Sequence, residues 1–74
     1  QARPPDKPVV AMIGTGTLAG TFGPAIGKAG YAVVYGSRDP ARAAVNELVR
    51  RTGPRASVAS PREAAARAAI VILA

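Results

Sequence analysis

An α/β fold, with a parallel sheet of about four strands crossed by three helices, is what this 74-residue sequence predicts. Three observations carry that expectation. Short apolar runs at residues 9–13, 32–35, 56–59 and 70–74 alternate with helical spacing at 17–29, 41–52 and 61–69. Strand and helix alternate throughout, so the connections are crossovers, and crossovers join parallel strands. Right-handed crossovers then allow the strand order 3-2-1-4, which is part of a Rossmann-type sheet.

Each element has a local reason. Residues 1–8 carry Pro4, Pro5 and Pro8 among alternating charges, and read as an extended, poorly ordered lead-in. Val9-Val10-Ala11-Met12-Ile13 is a continuous apolar run between Pro8 and Gly14, as a central parallel strand requires. The helix at 17–29 is expected to bury Leu18, Phe22, Ala25, Ile26 and Ala29, and to end at Gly30. Pro24 lies inside it, with Gly20, Gly23 and Gly27 around it. Proline in a helix interior removes a hydrogen bond and costs about 3 kcal/mol, so a kink or a loosened turn near Gly20 is expected.

Residues 32–35 make the second strand. Asp39-Pro40 reads as a helix start, with Asp39 as cap and Pro40 at the first helical position. The helix at 41–52 then places Val45, Leu48, Val49 and Thr52 at core spacing, and Gly53-Pro54 stops it. Residues 56–59 form a short third strand. Ser60-Pro61-Arg62-Glu63 is a capping box that opens a third helix reaching about residue 69. The apolar run at 70–74 is the outer strand of the order 3-2-1-4. Two helices then cover one face of the sheet and one short helix covers the other. An open apolar edge in water predicts self-association or a need for further chain. Residues 9–74 are accordingly expected to be the N-terminal part of a larger domain.

Composition removes several function classes. Ten Lys or Arg against four Asp or Glu give a net charge of +6, but the basic residues are dispersed. Phe22, Tyr31 and Tyr35 are the three aromatics, and no basic block tracks a phosphate backbone, so nucleic acid is not the expected partner. Without Cys there is neither a disulfide framework nor a thiolate site. Without His, a metal would need clustered carboxylates, and the four acids are scattered. No membrane span or leader pattern occurs in this stretch. A cytoplasmic setting, with no membrane contact from this segment, is the expectation.

The chemistry lies in two loops. Gly14-Thr15-Gly16-Thr17-Leu18-Ala19 follows the first strand and opens the first helix within a βαβ unit. Gly14 permits a tight turn, and Gly16 lets a diphosphate approach the backbone. The amides of Thr17, Leu18 and Ala19 then point at the anion from a helix N-terminus. Ala19 takes the third place of the fingerprint, where a small residue allows close helix–strand packing. A structural glycine turn of some other α/β protein is the plainer alternative.

The second loop is Ser37-Arg38, at the tip of the second strand. NAD sites hold an acid there to bind the ribose hydroxyls. Ser37 donates a hydrogen bond and Arg38 a bidentate pair, which suits a 2′-phosphate and hence NADP(H). Arg42 lies near the start of the next helix, where a cation opposes the helix dipole unless an anion sits beside it. The plainer alternative makes Arg38 and Arg42 solvated surface charges.

The stretches AMIGTGTLAG, GKAGYAVVYGSRDPARA and AIVILA resemble the NADP-binding domain of the deazaflavin-dependent NADP oxidoreductase family. The cytosolic domain of six-transmembrane metalloreductases is similar in its glycine turn and GSR motif, and pyrroline-carboxylate reductase is a more distant relative. The resemblance implies pyrophosphate contacts from Thr15, Gly16, Thr17, Leu18 and Ala19, and 2′-phosphate contacts from Ser37 and Arg38. It puts Arg42 where relatives often have a basic residue, and Leu73 and Ala74 at the start of the loop flanking the nicotinamide ribose. Pro24 departs from the pattern.

The expected function is the NADP(H)-binding part of an oxidoreductase that moves hydride between nicotinamide and a second redox partner, a flavin or deazaflavin among them. No catalytic residue is identified in this stretch. A homo-oligomer formed through further chain is the expected assembly. A non-catalytic NADP(H)-binding sensor and a basic nucleic-acid-binding fragment are the rival readings.

Overall fold

The computed structural model describes residues 8–14 and 16–73. The elements are β1 (Val9–Ile13), α1 (Thr17–Lys28), β2 (Ala32–Gly36), α2 (Ala43–Thr52), β3 (Ala56–Ala59), α3 (Pro61–Arg67) and β4 (Ile70–Leu73). All four strands run parallel in the order β3-β2-β1-β4, as the alternation of elements predicts. Val9 pairs with Ala32 through to Ile13 with Gly36, which brings the ends of β1 and β2 level. Of the lead-in at residues 1–8, all but Pro8 lies outside the described residues.

Alternation along the strands divides the core in two. Met12, Val33 and Tyr35 point to one face and pack with Ala19 of α1 and Leu48 of α2. Ala11 and Val34 point to the other face and meet Ala64 of α3. The central strands carry apolar residues on both faces because both faces are covered. At the edge of the sheet, β4 keeps Ile70, Val71 and Leu73 exposed.

The buried face of α1 differs from the expected one. Leu18 and Phe22 are 54% and 52% exposed, and Ala25 and Ala29 are also exposed, whereas Ala19 and Gly23 are buried. Of the expected face, Ile26 alone packs against the core. The inward stripe is therefore Ala19, Gly23 and Gly27, one position round the helical wheel. Close approach decides this. A Cβ on Gly23 would fall on the Tyr35 ring, and one on Gly27 would fall on Thr52. The Tyr35 hydroxyl lies 2.5 Å from Thr52 Oγ1, which itself donates to the Leu48 carbonyl at 2.7 Å. Thr52 has one hydroxyl proton, so Tyr35 is the donor of the pair. Burial pushes the Tyr35 phenol up, which keeps that donor protonated through the neutral range.

Three boundaries also moved or sharpened. α1 continues through Pro24 to Lys28. It closes at Gly30 (φ 100°), whose amide reaches the Gly27 carbonyl while the Tyr31 amide reaches Ile26. That paired closure needs a left-handed residue, and glycine provides it without steric penalty. α2 begins at Ala43, two residues later than expected, and Asp39 does not cap it. The intervening residues make a turn closed by the Arg42 amide on the Asp39 carbonyl at 3.1 Å. α3 ends at Arg67, because the Ala69 amide is drawn to the Val9 carbonyl at 3.0 Å and starts β4.

Candidate functional site

A cleft of about 490 Å³ opens where β1 and β2 end. Ile13, Gly14, Gly36 and Pro61 give its apolar lining, and Ser37, Arg38, Asp39 and Arg42 its polar one. Parallel α/β sheets bind ligands at this carboxyl edge, beside the point where strand order reverses. Here the reversal falls at β1, flanked by β2 on one side and β4 on the other.

The turn out of β1 is shaped by Gly14, whose φ of 104° is a conformation that side-chain-bearing residues rarely adopt. Its amide is fixed to the Gly36 carbonyl at 3.0 Å, so the turn is tied to the end of β2. Gly16 is a different case. Its backbone (φ −82°, ψ −158°) is open to any residue, and a Cβ there would meet nothing within 4 Å. Neither conformation nor protein packing requires glycine at 16. The space beside it is available to a ligand.

Gly16 is also the N-cap of α1, and it has no side chain to cap the helix. No acid occupies the first turn. The leading amides of Thr17, Leu18 and Ala19 are the ones a helix cannot satisfy by itself. Ala19 is fully buried against the sheet, so its methyl serves packing and its main chain alone is available for contact.

Ser37 is nearly buried, with its amide on the Ala59 carbonyl at 2.9 Å. Its hydroxyl oxygen accepts from the Asp39 amide at 3.1 Å, which leaves the hydroxyl proton to donate elsewhere. Arg38 and Arg42 are exposed, and among the described residues neither guanidinium has a hydrogen-bond or ion-pair partner. Arg42 stands at the N-cap of α2, a position with no capping side chain and no acid in the turn that follows. A cation at a helix N-terminus opposes the dipole, and an anion between Arg38 and Arg42 would relieve that.

The structure thus gathers Gly14, Ser37, Arg38 and Arg42 in one cleft, with the turn at Gly16, Thr17, Leu18 and Ala19 next along the chain. Thr15 and Ala74 lie outside the described residues. Gly36 and Pro61 line the cleft although the sequence reading gave them no role there. A Cβ on Gly36 would stand 2.9 Å from Ile13 Cδ1 and 2.9 Å from Pro61 Cα, so this glycine lets α3 close against the strand ends. A glycine directly before Ser37-Arg38 was the available signal.

The model of the family described as NADP oxidoreductase, coenzyme F420-dependent, matches residues 9–74. The chain belongs to that family, and the match spans every element of the sheet. No match was found among curated proteins or among solved structures. Among the described residues no helix is long and apolar enough to cross a membrane.

Proposed function

We propose that this member of the NADP oxidoreductase family is the NADP(H)-binding part of an enzyme that passes hydride between nicotinamide and a second redox partner, with a deazaflavin the partner its family favours. The observation that carries the reading is a pair of uncapped helix starts, one at the cleft and one just beyond the Gly14 turn that lines it. α1 opens on Gly16 beside empty space, and α2 opens on Arg42 beside Arg38 and Ser37. The first arrangement suits a pyrophosphate and the second a 2′-phosphate.

The residues present fit the cofactor. Gly14 sets the turn, and the amides of Gly16, Thr17, Leu18 and Ala19 would hold the pyrophosphate, a role the family resemblance extends to Thr15. The Ser37 hydroxyl would donate a hydrogen bond to the 2′-phosphate, and Arg38 and Arg42 would balance its charge. By the family resemblance, Leu73 and Ala74 would begin the loop that flanks the nicotinamide ribose. The dinucleotide supplies the hydride chemistry, and this chain supplies position and charge. The domain works in the cytoplasm as a homo-oligomer.

Calorimetric titration tests the cofactor. NADPH is expected to bind at least tenfold more tightly than NADH, since one charge-assisted hydrogen bond is worth about 1.5–3 kcal/mol. Equal affinities would sink the assignment of Ser37, Arg38 and Arg42. NADPH oxidation with deazaflavin, flavin and ferric acceptors then tests the hydride partner, and turnover with none of them would favour a sensor.

A further inference from the structure

We infer that Arg51 is a positioning residue for the dinucleotide, because it supplies the hydrogen bond that Pro24 denies to the first turns of α1; this rests on the proposed NADP(H) reading. An ordinary residue at position 24 would donate its amide to the Gly20 carbonyl, four residues back. Proline has no amide hydrogen to give. In its place Arg51 Nη2, from the last turn of α2, donates to the Gly20 carbonyl at 3.0 Å. The bond spans 31 residues and crosses between helices.

Gly20 is a sensitive place for such a tie. Its amide closes the first turn of α1 on the Gly16 carbonyl at 3.0 Å. Its own carbonyl is the one Arg51 holds. The amides of Thr17, Leu18 and Ala19 lie within that turn. Glycine adds backbone freedom at 20, and a Cβ there would meet nothing within 4 Å, so no side chain steadies the turn at this residue. With Arg51 removed, a turn loosened at Gly20 must be ordered at the moment the pyrophosphate binds, and affinity falls by that ordering.

Arg55 provides an internal control. Its Nη1 donates to the Gly30 carbonyl at 3.2 Å, at the far end of the same helix. The bond is of the same kind, but it lies away from the phosphate turn and opposite no proline.

The test measures NADPH and NADH affinity, together with amide exchange of residues 20–23, the first hydrogen-bonded amides of α1, in the unliganded full chain. The proteins are the parent, Arg51→Met, Arg51→Lys, Pro24→Ala, the Arg51→Met and Pro24→Ala double variant, and Arg55→Met. Methionine keeps the apolar stem and removes the donor. Arg51→Met is expected to weaken both dinucleotides by about fivefold and to the same degree, because the pyrophosphate is common to both. Exchange at 20–23 should quicken. In the Pro24→Ala background the same substitution should change affinity by less than about twofold, since the helix then satisfies Gly20 itself. Arg51→Lys retains a cationic N–H donor and should keep most of the affinity, which guards against a fold that collapses in Arg51→Met. Arg55→Met should leave both affinities unaltered.

Unchanged affinities in Arg51→Met overturn the inference, and so does a loss that persists in full beside Pro24→Ala. If the parent binds neither dinucleotide, the NADP(H) reading falls. The Arg51–Pro24 coupling is then judged by amide exchange, where failure of Pro24→Ala to restore protection overturns it.

Discussion

The start of α3 and the starts of α1 and α2 solve the same problem in opposite ways. Each helix leaves leading amides without internal partners. α3 answers from its own sequence. Ser60 Oγ accepts from the Glu63 amide at 3.2 Å and lies 3.2 Å from Glu63 Oε1, with Glu63 placing negative charge in the first turn. α1 and α2 have no capping side chain and no acid in the first turn, and α2 carries an arginine at its N-cap. The self-capped helix is complete as folded. Of the two open ones, α2 meets the cleft at Arg42 and α1 follows the Gly14 turn that lines it, and in the proposed reading an anion from outside the chain completes both. Each open start forgoes a gain of about 1 kcal/mol that a capping side chain would give, and the proposed dinucleotide accounts for that loss.

The largest way to break this contrast is Gly16→Val. The branched side chain should occupy the space where the pyrophosphate lies and lower NADPH affinity by about a hundredfold, or ~2.8 kcal/mol. Because position 16 has an ordinary φ and open surroundings, the melting temperature without cofactor should barely move. Undiminished binding would remove the glycine turn from the site.

Arg38→Ala comes next. It should weaken NADPH by about 1.5–3 kcal/mol and leave NADH nearly unaltered. Arg42→Ala should act in the same sense but less, since Arg38 sits at the strand tip. Parallel losses for both cofactors would mean that the arginines act on the fold and not on the phosphate.

Ser60→Ala sharpens the comparison from the other side. Uncapping α3 should lower stability by about 1 kcal/mol, which is a fall of roughly 4–8 °C in Tm for a domain of this size. Thermal melting reads that loss, while NADPH affinity measured well below the transition should hold. A drop in affinity with no drop in Tm would show that all three helix starts serve the ligand.

The smallest effect has the opposite sign. Arg42→Ala removes a cation from a helix N-terminus, so the protein without cofactor should gain a few tenths of a kcal/mol, screened by salt. Urea titrations at low and high ionic strength would detect it, and a loss of stability would mean that Arg42 has a structural duty.

Local chemistry made much of this legible. The order β3-β2-β1-β4 follows from alternating apolar runs and helical spacing, because both are set by neighbouring residues. The Ser60 cap and the Gly30 closure were readable for the same reason. At the site, Gly14, Ser37, Arg38 and Arg42 do converge on one cleft, as a strand–turn–helix pattern implies. The start of α2 was misread because Asp39-Pro40 is a cap signal in isolation, whereas in the fold the Asp39 amide goes to Ser37 and its carbonyl to Arg42.

By itself, then, the sequence determined what depends on residues close along the chain: the parallel α/β sheet, the glycine turn, and a basic tip in place of an acid. The tertiary structure alone decided what depends on distance between elements. Hydrophobicity favours Leu18 and Phe22 for the inner face of α1, yet Ala19, Gly23 and Gly27 occupy it, because Tyr35 and Thr52 leave room only for small residues. Arg51 and Pro24 are 27 positions apart in the sequence, and nothing local links them. Their partnership exists only because α1 and α2 pack side by side and bring a guanidinium to the carbonyl that proline left open.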